Sequence, residues 1–184
     1  GGRDIVSSRE IAAKLGLDPI QVRKDLQFTG VIGKPKVGYV IDNLISLIES
    51  FLGWDNTSSA YLAGAGNLGT AILGYEGFRG YGVDIVAVFD NDSRKIGTEI
   101  NSYEVYDIEK ITGLAERMNV NIGIITVPAA DAQDVADRMV RGGIKAIWNF
   151  APVKLNIPDN VIVENEQLST SLAVLTSKLK QKTV

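Results

Sequence analysis

A glycine-rich turn and a later acid are the residues of this sequence whose types and spacing could bind a ligand. The turn is Gly64-Ala65-Gly66-Asn67-Leu68-Gly69. An apolar run precedes it and a helical apolar pattern follows it, and a turn in that setting is typical of dinucleotide binding. The three glycines permit a tight turn, close approach of the backbone to a pyrophosphate, and close packing of helix on strand. A glycine turn without a ligand is the alternative.

Asp90 is the acid that completes this pattern. It follows the apolar strand pattern 83–89 and lies 21 residues after Gly69. A carboxylate at that distance accepts hydrogen bonds from the hydroxyls of an adenosine ribose and repels a 2′-phosphate. We therefore predict NADH or NAD+ as the cofactor rather than NADPH or NADP+. Arg94 and Lys95 lie nearby in the sequence and act against that preference.

Histidine and cysteine are both absent from the 184 residues. Disulfides and thiol chemistry are therefore excluded, and the commonest general base and metal ligand is missing. We predict no metal site and no enzyme activity. The longest apolar runs are far shorter than a membrane span, and no signal segment is recognisable, which favours a cytoplasmic protein without a membrane partner.

Two short helices joined by a tight turn are predicted near the N-terminus. Ser7 can cap the first helix with Glu10 as its capping-box partner, and Gly16 can end it. Asp18 can cap the second helix, with Pro19 at its first position. The pattern indicates a helix-turn-helix, whose second helix enters the major groove of DNA; an ordinary helix pair is the alternative. Such a module usually has a preceding helix, and we expect this one to lack it.

The next segment is punctuated by three glycines, with Lys34 and Lys36 between them. It predicts a glycine-rich hairpin, or wing, that lies along DNA phosphates; a polar linker is the alternative. Residues 1–40 hold seven Lys or Arg against four acids, whereas residues 41–184 hold twelve against eighteen. This difference, unless it is chance, predicts that only the N-terminal part meets a polyanion.

The remainder of the chain alternates apolar strand patterns with helical patterns, which indicates a parallel α/β sheet covered on both faces. Ligands bind at the carboxyl ends of the strands in such a sheet. The residues at those ends, each of which has a structural role as its alternative, are Thr126, Val127, Pro128, Asn149 and Phe150.

A final helix is predicted over residues 169–182. Its apolar stripe has nearly heptad spacing and consists of Leu168, Leu172, Leu175 and Leu179. The helix either packs on its own sheet or docks on a second subunit, and we favour the second.

Several short segments resemble those of one family, in the same order. They are Gln21-Val22-Arg23-Lys24-Asp25-Leu26, Gly38-Tyr39, the glycine turn at 64–69, Gly74-Tyr75, Thr126-Val127-Pro128, Gly143-Ile144-Lys145 and Asn149-Phe150-Ala151-Pro152. Through these segments and their order, the chain resembles the Rex family of redox-sensing transcriptional repressors. The resemblance implies a winged-helix domain over residues 1–54, a Rossmann domain over 55–166, and a swapped C-terminal dimerisation helix over 167–184. It also implies a homodimer that NADH releases from a palindromic operator DNA, with NAD+ competing weakly.

The resemblance implies roles for individual residues as well. Arg23 and Lys24 correspond to the recognition helix, Lys34 to a wing phosphate contact and Tyr39 to support of the wing. Tyr75 corresponds to a residue near the nicotinamide end and the partner subunit. The full set expected at the DNA is Ser8, Gln21, Arg23, Lys24, Lys34, Lys36 and Tyr39.

Two segments depart from the family pattern. After Leu26 the family usually reads Ser-Tyr-Phe-Gly-Glu-Phe-Gly-Lys-Arg, and here residues 27–35 read Gln-Phe-Thr-Gly-Val-Ile-Gly-Lys-Pro. Before the last helix it usually reads Asn-Val-Asp-Leu, and here residues 165–168 read Asn-Glu-Gln-Leu. The first change affects the expected operator sequence. The second change removes the acid that in the family pairs with the nicotinamide-end tyrosine. Glu166 is the candidate substitute for that acid, although it lies one residue out of register.

Two other functions remain alternatives at this point. One is a small NAD-dependent oxidoreductase, whose proton donor would be a lysine, a tyrosine or a carboxylate. The other is a subunit of a larger complex that binds a dinucleotide or coenzyme A. Operator-specific DNA binding distinguishes the repressor from both.

Overall fold

The computed structural model describes residues 4–35, 37–166 and 168–182. The chain divides into two compact units. The first comprises Gly1–Thr57 and Gly80–Gly82, and the second comprises Ser58–Arg79 and Val83–Val184. The change of unit falls after Thr57, close to the boundary between residues 54 and 55 that the resemblance implies.

The helix-turn-helix predicted in the first unit is formed by α1 (Ser8–Leu15) and α2 (Pro19–Phe28). The Ser7 hydroxyl accepts from the Glu10 N–H at 3.2 Å, and the Glu10 carboxylate accepts from the Ser7 N–H at 2.8 Å. The Asp18 carboxylate accepts the N–H of Ile20 at 2.7 Å at the start of α2. The helix boundaries therefore follow from capping residues that the sequence already displays.

The wing differs from the predicted hairpin. Its two strands are β1 (Ile5–Val6) and β2 (Tyr39–Val40), which pair antiparallel, so one strand comes from before α1. The glycine-rich segment itself forms only a short hairpin, in which the N–H groups of Lys34 and Gly38 donate to each other's carbonyl oxygens and so make one antiparallel bridge. Glycine and proline are poor strand formers, which explains why the pairing in this segment is limited to that bridge.

The first unit closes with α3 (Ile41–Phe51). Its small core contains Val31, Tyr39 and Leu44, with Leu26 packed against them. This core joins α2, the turn and α3, and it fixes the surface on which the basic side chains of α2 stand.

The second unit is built on a seven-stranded sheet with the order β5-β6-β4-β3-β7-β8-β9. Its strands are β3 (Ser58–Ala63), β4 (Val83–Asp90), β5 (Glu99–Ile100), β6 (Tyr103–Asp107), β7 (Ile122–Ile125), β8 (Ala146–Asn149) and β9 (Ile162–Asn165). All neighbouring strands are parallel except β5 and β6, which form a hairpin. The predicted Rossmann-type α/β fold is therefore confirmed.

Helices cover both faces of this sheet. The helix α4 (Asn67–Leu73) packs in a cluster with Leu62, Val88 and Ile124. The helices α5 (Ile111–Met118) and α6 (Ala129–Arg141) pack in a second cluster with Tyr61, Phe89 and Ile125. Successive residues of one strand belong to different clusters, as alternation across a sheet requires. The carboxyl ends of β3, β4, β7 and β8 thus meet at one edge.

Besides β1, two further elements were not predicted from the sequence. One is the β5–β6 hairpin, whose turn residues Asn101 and Ser102 have φ of 48° and 69°. Two non-glycine residues with positive φ give no glycine signal, so the sequence pattern missed the turn. The other is a 3-10 helix over Glu76–Tyr81, which is too short for a helical apolar period.

The last helix, α7, spans Leu168–Lys182. Leu172, Leu175 and Leu179 are all exposed, while the side chain of Leu168 lies outside the described residues. Packing of this stripe on its own sheet is therefore ruled out for the described leucines. Docking on a second subunit stays a prediction. Within the described ranges no helix has the length and apolar character of a membrane span.

Candidate functional site

The glycine turn joins the end of β3 to the start of α4. The Gly64 N–H donates to the Phe89 carbonyl at 2.8 Å, and φ of 104° places its backbone where L side chains are strained. A Cβ on Gly69 would overlap the Gly64 carbonyl oxygen, whereas a Cβ on Gly66 would meet no atom within 4 Å. The protein itself therefore requires glycine at 64 and 69. Glycine at 66 leaves room for something outside the protein.

Thr126 fastens this turn to the end of β7. Its Oγ1 lies 3.0 Å from the Ala63 carbonyl oxygen and 2.8 Å from that of Gly64. Its N–H donates to Ala63 at 2.9 Å. Thr126 therefore holds the glycine turn in place, in addition to lining the cleft beside it.

Asp90, at the end of β4, is 7 % exposed and is tied to the turn. Its Oδ2 accepts from the Ala65 N–H at 2.8 Å and from Lys95 Nζ at 2.9 Å, and its Oδ1 accepts from the Asp92 N–H at 2.8 Å. Burial raises the pKa of this carboxyl, but the hydrogen bonds from Asp92, Lys95 and Ala65 outweigh it, so the pKa is lowered. Asp90 is therefore a carboxylate that fixes the turn while it faces the cleft.

A cleft of about 560 Å³ lies at this edge of the sheet. Its lining residues are Gly64, Gly66, Asp90, Asn91, Asp92, Lys95, Ile108, Thr126, Val127, Pro128, Asp131, Asp134 and Val135. Ile108, Val127 and Val135 form an apolar wall, and acids surround it. An apolar slot with hydrogen-bond acceptors at its rim suits a nucleoside.

The other predicted residues of the turn have different positions. Ala65 is buried and contributes its N–H to Asp90. Asn67 and Leu68 begin α4 and are exposed beside Gly66. The structure thus brings Gly64, Gly66, Asp90 and the segment 126–128 together around one cleft, while the other residues of the turn lie beside it.

An aromatic column lies on the α4 face of the same sheet and consists of Tyr75, Phe78, Trp148 and Phe150. Successive ring centroids are separated by 4.9 Å, 5.8 Å and 4.6 Å. The Trp148 indole N–H donates to a Glu166 carboxylate oxygen at 3.0 Å. Phe150 and the exposed Tyr75, both predicted from the sequence, therefore belong to one apolar surface with the Glu166 carboxylate beside Trp148 at its edge.

Asn149 does not fit its predicted role as a cofactor contact. It is fully buried, and its Nδ2 lies within 3.2 Å of the oxygens of Ala151, Val153 and Asn165. Its Oδ1 accepts from the Ala151 N–H at 3.0 Å. With its amide used inside the protein, Asn149 positions the loop after β8 instead.

The first unit presents a basic surface. Arg23 and Lys24 are exposed on α2, and Lys34 is exposed in the turn. Ser8 is half-buried at the start of α1. Gln21 is exposed but donates to the Asp25 carboxylate at 2.6 Å. Lys36 lies outside the described residues.

Tyr39 is only 8 % exposed and belongs to the core of the first unit. Its ring packs against Gly33 and so supports the turn from below. This agrees with the support of the wing that the resemblance implies, whereas its place among the residues at the DNA is corrected, since a ring in the core does not reach a groove.

Two features of this surface were missed in the sequence. Arg9 on α1 joins Arg23 and Lys34 around a depression of about 590 Å³. Ile32, 89 % exposed, and Phe28, 75 % exposed, stand in the changed segment 27–35. Exposed apolar side chains beside basic ones can contact thymine methyl groups or enter a groove. An isolated apolar residue between glycines gives no periodic signal that could have revealed this.

Comparisons with known proteins find a family model for each of the two parts of the chain. Residues 55–153 match the family model of a CoA binding domain, and residues 1–27 match that of a putative DNA-binding protein N-terminus. The redox-sensing transcriptional repressor Rex of Treponema denticola is 48 % identical over 94 % of this chain and 82 % of its own. That of Pelotomaculum thermopropionicum is 50 % identical over 96 % of this chain and 83 % of its own.

Solved structures give the same result. The repressor RSP in complex with β-NAD+ and operator DNA superposes with a TM-score of 0.93 at 40 % identity, covering 97 % of this chain and 82 % of that one. RSP in complex with β-NADH superposes with a TM-score of 0.86 at 39 % identity, covering 97 % and 84 %. These matches confirm the resemblance in the sequence, and the chain belongs to the Rex family of redox-sensing transcriptional repressors.

Proposed function

We propose that this protein represses transcription by binding operator DNA through its first unit and that NADH or NAD+ in its second unit controls that binding. The observation that carries the proposal is the glycine turn held by Asp90 at a nucleoside-sized cleft, with Gly66 unopposed. The Rex relatives and the RSP complexes support it, because RSP is described with operator DNA and with both dinucleotides.

The residues around the cleft fit the adenosine half of the dinucleotide. Ile108 and Val135 would flank the adenine, and Asp90 would accept from a ribose hydroxyl. Gly66 would admit the pyrophosphate, since the position of its missing Cβ is open. These assignments need no metal and no general base.

The aromatic column fits the nicotinamide half. The oxidised ring is a cation and the reduced ring is neutral, and the transfer of an unpaired charge onto an apolar surface is costly. Tyr75 and Phe150 would therefore favour NADH. The Glu166 carboxylate would reduce that preference by partly compensating the cation, so that both forms bind.

Arg23, Lys24 and Lys34 would hold the DNA. Arginine and lysine on a recognition helix contact base edges and phosphates, whereas a wing lysine contacts phosphate. Two copies would read a palindromic operator with recognition helices about 34 Å apart. The exposed leucine stripe of α7 supports a homodimer, since apolar stripes on an isolated helix associate.

NADH would act by favouring a dimer arrangement that does not match the operator. A shift from mostly competent to mostly incompetent requires a differential affinity of about 5.5 kcal/mol. By linkage, operator DNA must then weaken NADH binding by the same factor. A protein that acts on chromosomal operators works in the compartment of the DNA, so we propose a cytoplasmic location. Family membership favours this function over the oxidoreductase and the coenzyme-A-binding subunit.

The test is fluorescence anisotropy of the operator duplex of the RSP complex, titrated with protein alone, with NADH and with NAD+. We expect tight binding that NADH reverses and NAD+ leaves nearly unchanged. Arg23→Ala should weaken operator binding about tenfold, and Lys34→Ala should lower the salt dependence by about one phosphate contact. Lys14→Ala is the matched control, because Lys14 is an exposed lysine of α1 that is not among the residues expected at the DNA. NADH binding without any operator binding would contradict the proposal.

A further inference from the structure

Two ion pairs stand at the polar end of the cleft, and both tie a cation to an acid. Arg94 Nη2 lies 2.7 Å from Asp92 Oδ2, and Arg94 Nε donates to Asp92 Oδ1 at 2.9 Å. Lys95 Nζ lies 2.9 Å from Asp90 Oδ2. Arg94 and Lys95 are the two basic residues whose closeness to Asp90 in the sequence acts against the predicted preference for NAD(H). Each is matched by its own carboxylate.

The two acids and the two cations are placed differently. Asp90, Asp92 and Lys95 line the cleft, whereas the Arg94 side chain is 87 % exposed and is not among the described lining residues. The Asp92 N–H also donates to Asp90 Oδ1 at 2.8 Å. The Asp92 carboxylate is therefore next to the acid expected at the adenosine ribose, and it holds the arginine on the outer side.

We propose that Asp92 determines nucleotide specificity, because it holds Arg94 outside the cleft and adds a second negative charge where a 2′-phosphate would bind. This inference rests on the proposed dinucleotide function and assigns its selectivity to a residue beyond Asp90. The excluded ligand class is a dinucleotide with a 2′-phosphate. Arg94 is the group such a ligand would need.

The physical reason is the geometry of phosphate recognition. A phosphate monoester carries nearly two negative charges at neutral pH, and two adjacent carboxylates repel it. An arginine is well suited to bind it in a bidentate manner, but here the same donors are used by Asp92. Loss of the Asp92 charge therefore removes one repulsion and releases one binding group together.

The substitution that tests this is Asp92→Asn. An asparagine Oδ1 still accepts the Arg94 N–H, which Asp92 now accepts at 3.0 Å, so the loop keeps its turn. Asp131→Asn is the matched control, since Asp131 lines the same cleft and forms no ion pair with the described side chains. The double variant Asp92→Asn with Arg94→Met removes the released group.

The measurement is isothermal titration calorimetry of each variant with NADH and with NADPH. We expect Asp92→Asn to raise NADPH affinity about tenfold relative to NADH affinity, a change in their ratio of about 1.4 kcal/mol. Asp131→Asn should raise both affinities alike by less than about threefold, because screening limits a charge at the rim. The double variant should lose the part of the gain that Arg94 supplies and keep the part that comes from the removed repulsion.

Three outcomes would overturn the inference. They are an unchanged NADPH affinity in Asp92→Asn, an equal gain in Asp131→Asn, and a gain that is undiminished in the double variant. Titration of the unsubstituted protein with NADH distinguishes failure of this inference from failure of the proposed function. If that protein does not bind NADH, the dinucleotide function and the inference both fail. If it binds NADH while Asp92→Asn gains nothing, only the inference fails.

Discussion

The two ends of the candidate dinucleotide site hold a ligand by different means. At the cleft, the carboxylate of Asp90 receives three hydrogen bonds and further acids surround it. At the aromatic column, the contacts are between rings, and the Glu166 carboxylate accepts from Trp148 at its edge. Adenosine is identical in NADH and NAD+, and the nicotinamide differs by a charge. The cleft should therefore set affinity for both forms, and the column should set the ratio between them.

The largest expected effect is at the glycine turn. Gly66→Ala should lower the affinity for NADH and NAD+ alike by about a hundredfold, because the new Cβ occupies the space expected for the pyrophosphate. Its melting temperature should stay near that of the parent protein. Calorimetric titration with both dinucleotides and thermal unfolding measure the two effects.

Gly69→Ala is the contrasting variant at the same turn. Its Cβ overlaps the Gly64 carbonyl within the protein, so the variant should lose about 3 kcal/mol of unfolding free energy. Urea unfolding measures this loss. Equal stability of the two variants would show that the turn does not distinguish a packing glycine from a ligand-facing one.

The next effect is at Asp90. Asp90→Asn should weaken both dinucleotides by about tenfold while it leaves their ratio unchanged, since a charged acceptor is replaced by a neutral one. Titration calorimetry with NADH and NAD+ tests this. A changed ratio would mean that the cleft senses the redox state after all.

Asp90 also predicts a dependence of stability on pH. Its pKa is lowered in the folded protein, so it contributes stability that is present above its unfolded pKa and is lost as pH falls. The difference in unfolding free energy between the parent protein and Asp90→Asn should therefore shrink below about pH 4. Urea unfolding between neutral and acidic pH gives the comparison. A difference that grows on acidification contradicts the assigned direction.

A smaller effect is expected at the aromatic column. Phe150→Ser should reduce the preference for NADH over NAD+ by about fivefold, because a polar side chain lowers the cost of placing a cation there. The quantity to compare is the ratio of the NADH and NAD+ affinities rather than either affinity alone. An unchanged ratio of the two affinities would mean that the aromatic column does not discriminate between the oxidised and reduced cofactor.

The smallest effect is expected at Glu166. Glu166→Gln keeps an acceptor for the Trp148 indole and removes the charge, so it should raise the preference for NADH by about threefold. Competition between NADH and NAD+ on one sample resolves a change of this size. A change in the opposite direction would place the oxidised ring far from this carboxylate.

The glycine turn and Asp90 were predictable because their constraints are local. Gly64 and Gly69 are required by backbone contacts within a few residues and with one neighbouring strand end. The role of Asn149 was not predictable, since it depends on which partners the fold brings to a buried side chain. The pairing of Arg94 with Asp92 is likewise a choice among several nearby acids. Sequence spacing shows that these groups are close, but only the structure shows which ones are matched.

The position of the tryptophans has a practical consequence. The chain has two, of which Trp54 lies in the first unit and Trp148 in the aromatic column of the second. Reduced nicotinamide absorbs light where tryptophan emits, and the oxidised form does not. With Trp54 replaced by phenylalanine, Trp148 becomes an intrinsic optical reporter, whose emission should dim by energy transfer when the reduced cofactor binds. The emission of Trp148 should thus report binding of the reduced cofactor without an added label.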